Sequence, residues 1–273
     1  MRACAVPTDT LPLFEKNTIR TNKATRYFRI SRVATHTLIG LFVVTLIFPV
    51  GTKYLKLGLI KWWCKHLLSI FNVSVITLGN SPPSYKTASN NMIIANHISW
   101  VDIHAINSIL PLTFLAKSDI KSWPVFGYLA SKGNVLFIER GKRHHATRIV
   151  DITTRNLKVG DNLCLFPEGT TTDGTVIMPF KGSVIQSAID AQSTIWPVAI
   201  RYPRADGSIN TEVAYAGDTT MAQSIQQLLL QKNPVIELHF MTPIFTAELA
   251  DQDKNRRDLT LHIQSLITKK LAL

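Results

Sequence analysis

Residues 91–102 read NMIIANHISWVD: a short unbroken apolar run, a polar turn holding a histidine, then an aspartate. An apolar run of this length, bounded by polar residues, is the pattern of a strand covered on both faces, as in a parallel sheet. Outward from it, the polar loop SPPSYKTASNN precedes the run, and short apolar runs alternate with helical patterns behind it. That alternation is the habit of a mostly parallel sheet flanked by helices. Strands are predicted over residues 73–78, 92–95, 112–116, 135–138, 163–166, 198–202 and 235–240, and helices over 144–157, 183–191, 219–230 and 257–271. The expected fold is α/β: a mostly parallel central sheet flanked by helices, with an N-terminal membrane-binding helical segment.

The chain has 273 residues, a formal charge of +12 and 46% apolar residues. It is too apolar for disorder, and its charge favours anionic partners: membrane lipid, nucleic acid or an acidic carrier protein. Cys4, Cys64 and Cys164 are spaced for neither a disulfide framework nor a zinc site, so a reducing, cytoplasm-facing location is expected.

Residues 33–50, VATHTLIGLFVVTLIFPV, carry no formal charge. Spanning the hydrocarbon core takes roughly 17 to 25 residues, so this stretch is predicted to enter lipid. Arg20, Lys23, Arg26, Arg29 and Arg32 precede it and keep the N-terminus cytoplasmic under the positive-inside rule. The long basic region and the lack of a small-x-small site argue against a signal peptide. His36, Thr37 and Pro49 leave a re-entrant or interfacial course open. Over residues 51–71 a helix would gather Leu55, Leu59, Trp62, Trp63 and Ile70 on one face, with Lys53, Lys56, Lys61 and Lys65 outside it. Such a helix suits a bilayer surface, its lysines snorkelling to headgroups, or packs on the rest of the protein. The expected organisation is a basic tail at 1–32, a membrane-anchoring helical segment at 33–71 and a catalytic domain at 72–273.

On open α/β sheets ligands gather at the carboxyl ends of parallel strands. NHISWVD follows the strand ending at Ala95, and PEGTTTDG follows the strand ending at Phe166. His97 and Asp102 on one continuous helix would be turned about 140° apart. If His97 instead sits in the turn before a helix starting near Ser99, a plausible N-cap, its ring can fold back onto Asp102. An aspartate on one ring nitrogen fixes the tautomer and leaves the other as a general base. The pair is two-thirds of a triad, and a substrate hydroxyl would supply the nucleophile. Taken alone, the pair fits a cap-and-turn role equally well.

Further blocks follow in order: VLFIERG at 135–141, CLFPEGTTTDG at 164–174, FKG at 180–182 and IWPVAI at 195–200. In this order, over residues 91–200, the chain resembles the glycerolipid acyltransferase superfamily, the group that contains 1-acylglycerol-3-phosphate acyltransferase. The resemblance implies catalytic His97 assisted by Asp102, an acceptor-binding Arg140, and Glu168, Gly169 and Thr170 in an acceptor loop. It also implies that Lys117 lies near the acceptor phosphate and Pro197 in the last apolar block. The partners implied are a lysolipid acceptor, acyl-CoA or acyl carrier protein as donor, and membrane lipid, with no bound cofactor and no metal. Where the family often has arginine after the Gly-Thr step, this chain has Thr171. Either Lys181 replaces that charge, or the acceptor carries less phosphate, as in relatives resembling lyso-ornithine lipid acyltransferases.

Two rivals remain at this level. A metal hydrolase would use His97, Asp102 and His104 with His144 and His145, and chelation would abolish its activity. A non-enzymatic membrane adaptor or nucleic-acid binder would exploit the same charge, although no nucleic-acid module is recognisable. Lys117, Lys121, Lys132, Lys142 and Arg143 suit an acidic carrier protein, coenzyme A phosphates or an ordinary solvated surface.

Overall fold

A computed structural model of the chain describes residues 20–138, 143–249 and 256–273. Arg140 and Lys142 lie outside the described residues. The core is an eight-stranded sheet of order β1-β7-β6-β2-β5-β3-β4, with β8 pairing the side of β6. The strands are β1 Ser74–Gly79, β2 Asn91–Ala95, β3 Thr113–Lys117, β4 Val135–Ile138, β5 Leu163–Leu165, β6 Thr194–Arg201, β7 Val235–Phe240 and β8 Ile244–Phe245. Strands β6, β2, β5, β3 and β4 run parallel, while β7 and β8 pair antiparallel to β6. The mostly parallel sheet expected from the sequence is present.

Every residue of β2 is buried, which explains its unbroken apolar run. Ile93 and Ala95 face one core layer with Phe71, Val101 and Ala105; Met92 and Ile94 face the other with Ile185 and Ile263. Helices α2 (Lys53–Phe71), α3 (Trp100–Ile109) and α7 (Met221–Leu230) contribute to the first layer. Helices α6 (Ser183–Asp190) and α8 (Arg256–Leu271) contribute to the second. Two short elements escaped the sequence reading: α4 (Phe126–Lys132) and β8 are too brief to show a period. Helix α5 spans Arg143–Lys158.

Helix α1 covers Lys23–Phe42 and continues as a π-helical turn through Ile47. Its start lies before the apolar stretch because Asn22 caps it, Oδ1 accepting the Thr25 N–H at 2.8 Å. Arg26, Arg29 and Arg32 are therefore on the helix. Arg29 is buried and donates to the carbonyls of Gln231 at 2.7 Å and Lys232 at 3.0 Å, while Thr21 donates to Leu229 O at 2.7 Å. The bonds to Leu229 and Gln231 satisfy carbonyls at the end of α7, and Lys232 O also accepts from Asn72 Nδ2 at 2.9 Å. Along α1, Leu38, Phe42 and Leu46 are exposed, whereas His36 is buried against Trp63 and His66.

Helix α2 buries Leu57, Cys64, Leu67, Leu68 and Phe71 together with Ile70, which alone of the face expected to meet the bilayer or the protein is buried. Leu55 and Trp62 are exposed. The helix is apolar on two sides, so a single-face reading selected the outer one.

Candidate active site

β2, β5 and β6 end at one edge of the sheet, and their continuations build the site. Past the Ala95–Val198 register pair, the Asn96 amide extends the ladder. It donates to Ile200 O at 3.0 Å and accepts from Ile200 N–H at 2.7 Å. This locks the direction in which the chain leaves β2. The His97 N–H then donates to Glu168 Oε1 at 2.7 Å, and the His97 carbonyl accepts from Thr172 N–H at 2.9 Å.

His97 lies just outside α3 and Asp102 lies in its first turn, so the two side chains meet: Nδ1 and Asp102 Oδ2 are 2.9 Å apart. Ser99 occupies the N-cap position in extended conformation. The aspartate reaches back over the turn, Oδ2 also accepting the N–H groups of Ile98 at 2.7 Å and Ser99 at 2.9 Å. Phe166 stacks on the His97 ring at 3.8 Å between centroids and 7° between planes. With Nδ1 engaged, Nε2 is the nitrogen left for proton transfer.

The second loop runs from Phe166 at the end of β5. Glu168 is 3% exposed, and its oxygens accept from His97 N–H at 2.7 Å and Met178 N–H at 2.8 Å. Burial pushes its carboxyl above the usual range, opposed by those two N–H donors and by His97. Both oxygens thus join protein segments. Gly169 has φ +72°, and a Cβ there would lie 2.5 Å from Lys181 Nζ. Lys181, predicted as a replacement cation, therefore lies directly over the glycine. Thr170 is exposed, and the Thr171 hydroxyl donates to the Tyr215 carbonyl.

Lys117 is exposed at the carboxyl end of β3, on the same edge of the sheet. Arg140, expected just past β4, lies outside the described residues. His104 sits two residues beyond Asp102, about 200° further round α3. Its ring packs against Trp63 and Trp100, and its Nδ1 contacts the Trp100 carbonyl at 3.0 Å. Cys164 is buried; burial, and secondarily Asp102, raise its thiol well above the usual value, so it stays protonated.

Two further residues belong to the site. Phe166 was read only as the end of a strand. Tyr202, the first residue after β6, donates its hydroxyl to Asp102 Oδ1 at 2.6 Å. The available signal was positional, since each directly follows a parallel strand ending at this edge.

Comparison with known proteins agrees with this arrangement. The sequence model of a family described as "Acyltransferase" matches residues 72–201. A lyso-ornithine lipid O-acyltransferase from Pseudomonas aeruginosa is 33% identical over 213 residues, covering 76% of this chain and 80% of that protein. A 1-acyl-sn-glycerol-3-phosphate acyltransferase from Neisseria gonorrhoeae is 33% identical over 170 residues, covering 62% and 66%. The crystal structure of the 1-acyl-sn-glycerophosphate (LPA) acyltransferase PlsC from Thermotoga maritima superposes with a TM-score of 0.66 at 16% identity, over 91% of this chain and 95% of that one. That structure carries the same fold. With sequence kinship spread over three-quarters of the chain and the His–Asp pair assembled where the ordered blocks converge, the chain belongs to the acyltransferase family.

Proposed function

We propose that the chain is a membrane-bound O-acyltransferase that moves a fatty acyl group from acyl-CoA or acyl carrier protein to the free hydroxyl of a lysolipid. The observation that carries the mechanism is the 2.9 Å contact between His97 Nδ1 and Asp102. Nε2 takes the acceptor hydroxyl proton as that oxygen attacks the thioester carbonyl. The C–O bond forms, the tetrahedral intermediate collapses, the C–S bond breaks, and the imidazolium returns its proton to the leaving thiolate. Asp102 offsets the transient charge on the ring. Exposed Lys117 and Lys181 supply positive charge for an acceptor headgroup, and Arg140 joins them by resemblance.

Membrane attachment is supported by α1 and its continuation, Lys23–Ile47, long and apolar enough to cross a membrane with only 17% of its most apolar window buried. The active site is assigned to the cytoplasmic face because the basic start of that helix, cytoplasmic under the positive-inside rule, is itself bonded to the catalytic domain through Arg29, which keeps the two on one side of the bilayer.

The primary acceptor proposed is 1-acylglycerol-3-phosphate, giving phosphatidic acid in phospholipid biosynthesis. One observation favours a second acceptor, lyso-ornithine lipid: Thr171 occupies the family's arginine position and its hydroxyl is spent on Tyr215 O. The deciding experiment gives purified protein in detergent both acceptors and neutral lysophospholipids, with acyl-CoA and acyl carrier protein compared as donors. Preference for lysophosphatidate supports the first reading, and preference for the phosphate-free acceptor replaces it with the second. A His97→Ala protein that folds and transfers acyl groups at the wild-type rate removes the general-base mechanism.

A further inference from the structure

Asp102 is fully buried, at 0% exposure, yet its two oxygens are loaded unequally. Oδ2 accepts from Ile98 N–H, Ser99 N–H and the His97 ring. Oδ1 accepts from Tyr202, whose residue is 1% exposed and whose O···O distance is 2.6 Å. We propose that Tyr202 is a positioning residue for acyl transfer: its hydroxyl pins Oδ1, and thereby keeps Oδ2 aimed at the His97 ring. The proposal rests on the general-base reading of His97.

A carboxylate with one oxygen unpaired in an apolar interior has two ways to lower its energy. One matters here: it rotates about its last bond until the bare oxygen finds a donor. A rotated carboxylate no longer meets Nδ1, and the short O–H···O contact blocks that rotation. Tyr202 stays a donor throughout, since burial, and then Asp102 itself, push its phenol well above the usual value.

The backbone makes this placement dependable. Asn96 pairs with Ile200 in both directions, and Tyr202 follows two residues later, with its carbonyl held by Asn210 N–H at 2.8 Å. The same ladder that aims the chain carrying His97 therefore aims the strand carrying Tyr202. Among the described residues, the titratable groups facing the pair include Glu168 and Cys164 from the β5 segment and Tyr202 after β6. Cys164 and Tyr202 are neutral, so neither replaces the other as a charge beside Asp102.

Tyr202→Phe keeps the ring and deletes only the donor. In the full-length protein, assayed with acyl-CoA and a lysolipid acceptor in detergent, kcat is expected to fall about tenfold to a hundredfold, the range for a buried hydrogen bond to a charged group. KM for both substrates should stay within about twofold. The loss should also vanish in an Asp102→Asn background, because the residue acts only through that carboxylate. A purely structural role gives a different result, a lower melting temperature and a loss that adds in full to that of Asp102→Asn; this, or an unchanged kcat, overturns the proposal. If the Phe variant does not fold, a fluorinated tyrosine at position 202 preserves the ring and alters donor strength. A kcat that tracks phenol acidity then supports the proposal, and a constant kcat overturns it. Wild-type rates from His97→Ala defeat the base reading and this proposal together, a pattern distinct from a silent Tyr202→Phe in an enzyme that needs His97.

Discussion

Glu168 receives the His97 N–H on one carboxylate oxygen, at 2.7 Å, and the Met178 N–H on the other, at 2.8 Å. One buried side chain thus clamps the turn after β2 to the far end of the loop after β5. Glu168→Gln conserves the shape but sets an amide NH₂ against a backbone N–H, leaving that donor unpaired at a cost of about 1–3 kcal/mol. Chemical denaturation should register this loss and acyl-transfer assays a clear drop in kcat. Wild-type stability and rate would show that the two segments hold without the clamp. Because burial raises the folded-state pKa of Glu168, its proton is held more tightly in the folded protein. That contribution to stability is complete below the unfolded value of about 4.3 and is lost as pH rises through the raised folded value. Wild type should lose stability across that window, and Glu168→Gln should show a shallower slope.

Cys164 lies on β5 close to the catalytic pair, with a thiol that stays protonated. Direct attack by the acceptor hydroxyl needs no acyl-enzyme. Cys164→Ala should therefore retain kcat within about a few-fold, paying only a small packing penalty. Intact-mass spectrometry during turnover should find no acyl adduct; an acyl group trapped on this cysteine would refute direct attack.

Gly169 adopts φ +72° beneath Lys181 Nζ. Gly169→Ala adds backbone strain of roughly 1–2 kcal/mol and pushes the ammonium aside. KM for an anionic acceptor is expected to rise while KM for the donor holds. Equal effects on both would separate Lys181 from acceptor recognition.

Arg29 ties α1 to the end of α7 through bonds of 2.7 and 3.0 Å to the Gln231 and Lys232 carbonyls. Arg29→Ala leaves the Gln231 carbonyl without its donor, while Lys232 O keeps Asn72 Nδ2, and should cost about 1.5–3 kcal/mol for each charged bond lost, before solvent compensation. Limited proteolysis should then cleave near the start of α1 while leaving the sheet intact. An unchanged cleavage pattern would mean that α1 is held elsewhere along its length.

Much of the sheet was legible because β2 and β5 are short, apolar on both faces and bounded by polar turns. The His97–Asp102 contact was legible because both residues lie within one local turn. The Glu168 bonds were not, since they depend on where the loop after β5 brings Met178 back to Glu168, a matter of tertiary path. Tyr202 was missed for a related reason: it stands 100 residues from Asp102, and only the β2–β6 register brings them together. The stripe that α2 buries was not legible because apolar residues occupy both of its sides, and only packing against α3 selects one.

The bolt between Arg29 and the α7–β7 turn lies toward the edge of the sheet where β6 ends, since β7 begins there and runs back along it. If α1 enters lipid as proposed, a helix bolted at that edge of the sheet would act as a rigid strut. The height of the imidazole above the leaflet would then be set by architecture, so a lysolipid would have to drift sideways to meet it. Selectivity would accordingly depend in part on how far each headgroup lifts its hydroxyl out of the leaflet, a vertical ruler added to the charges lining the site.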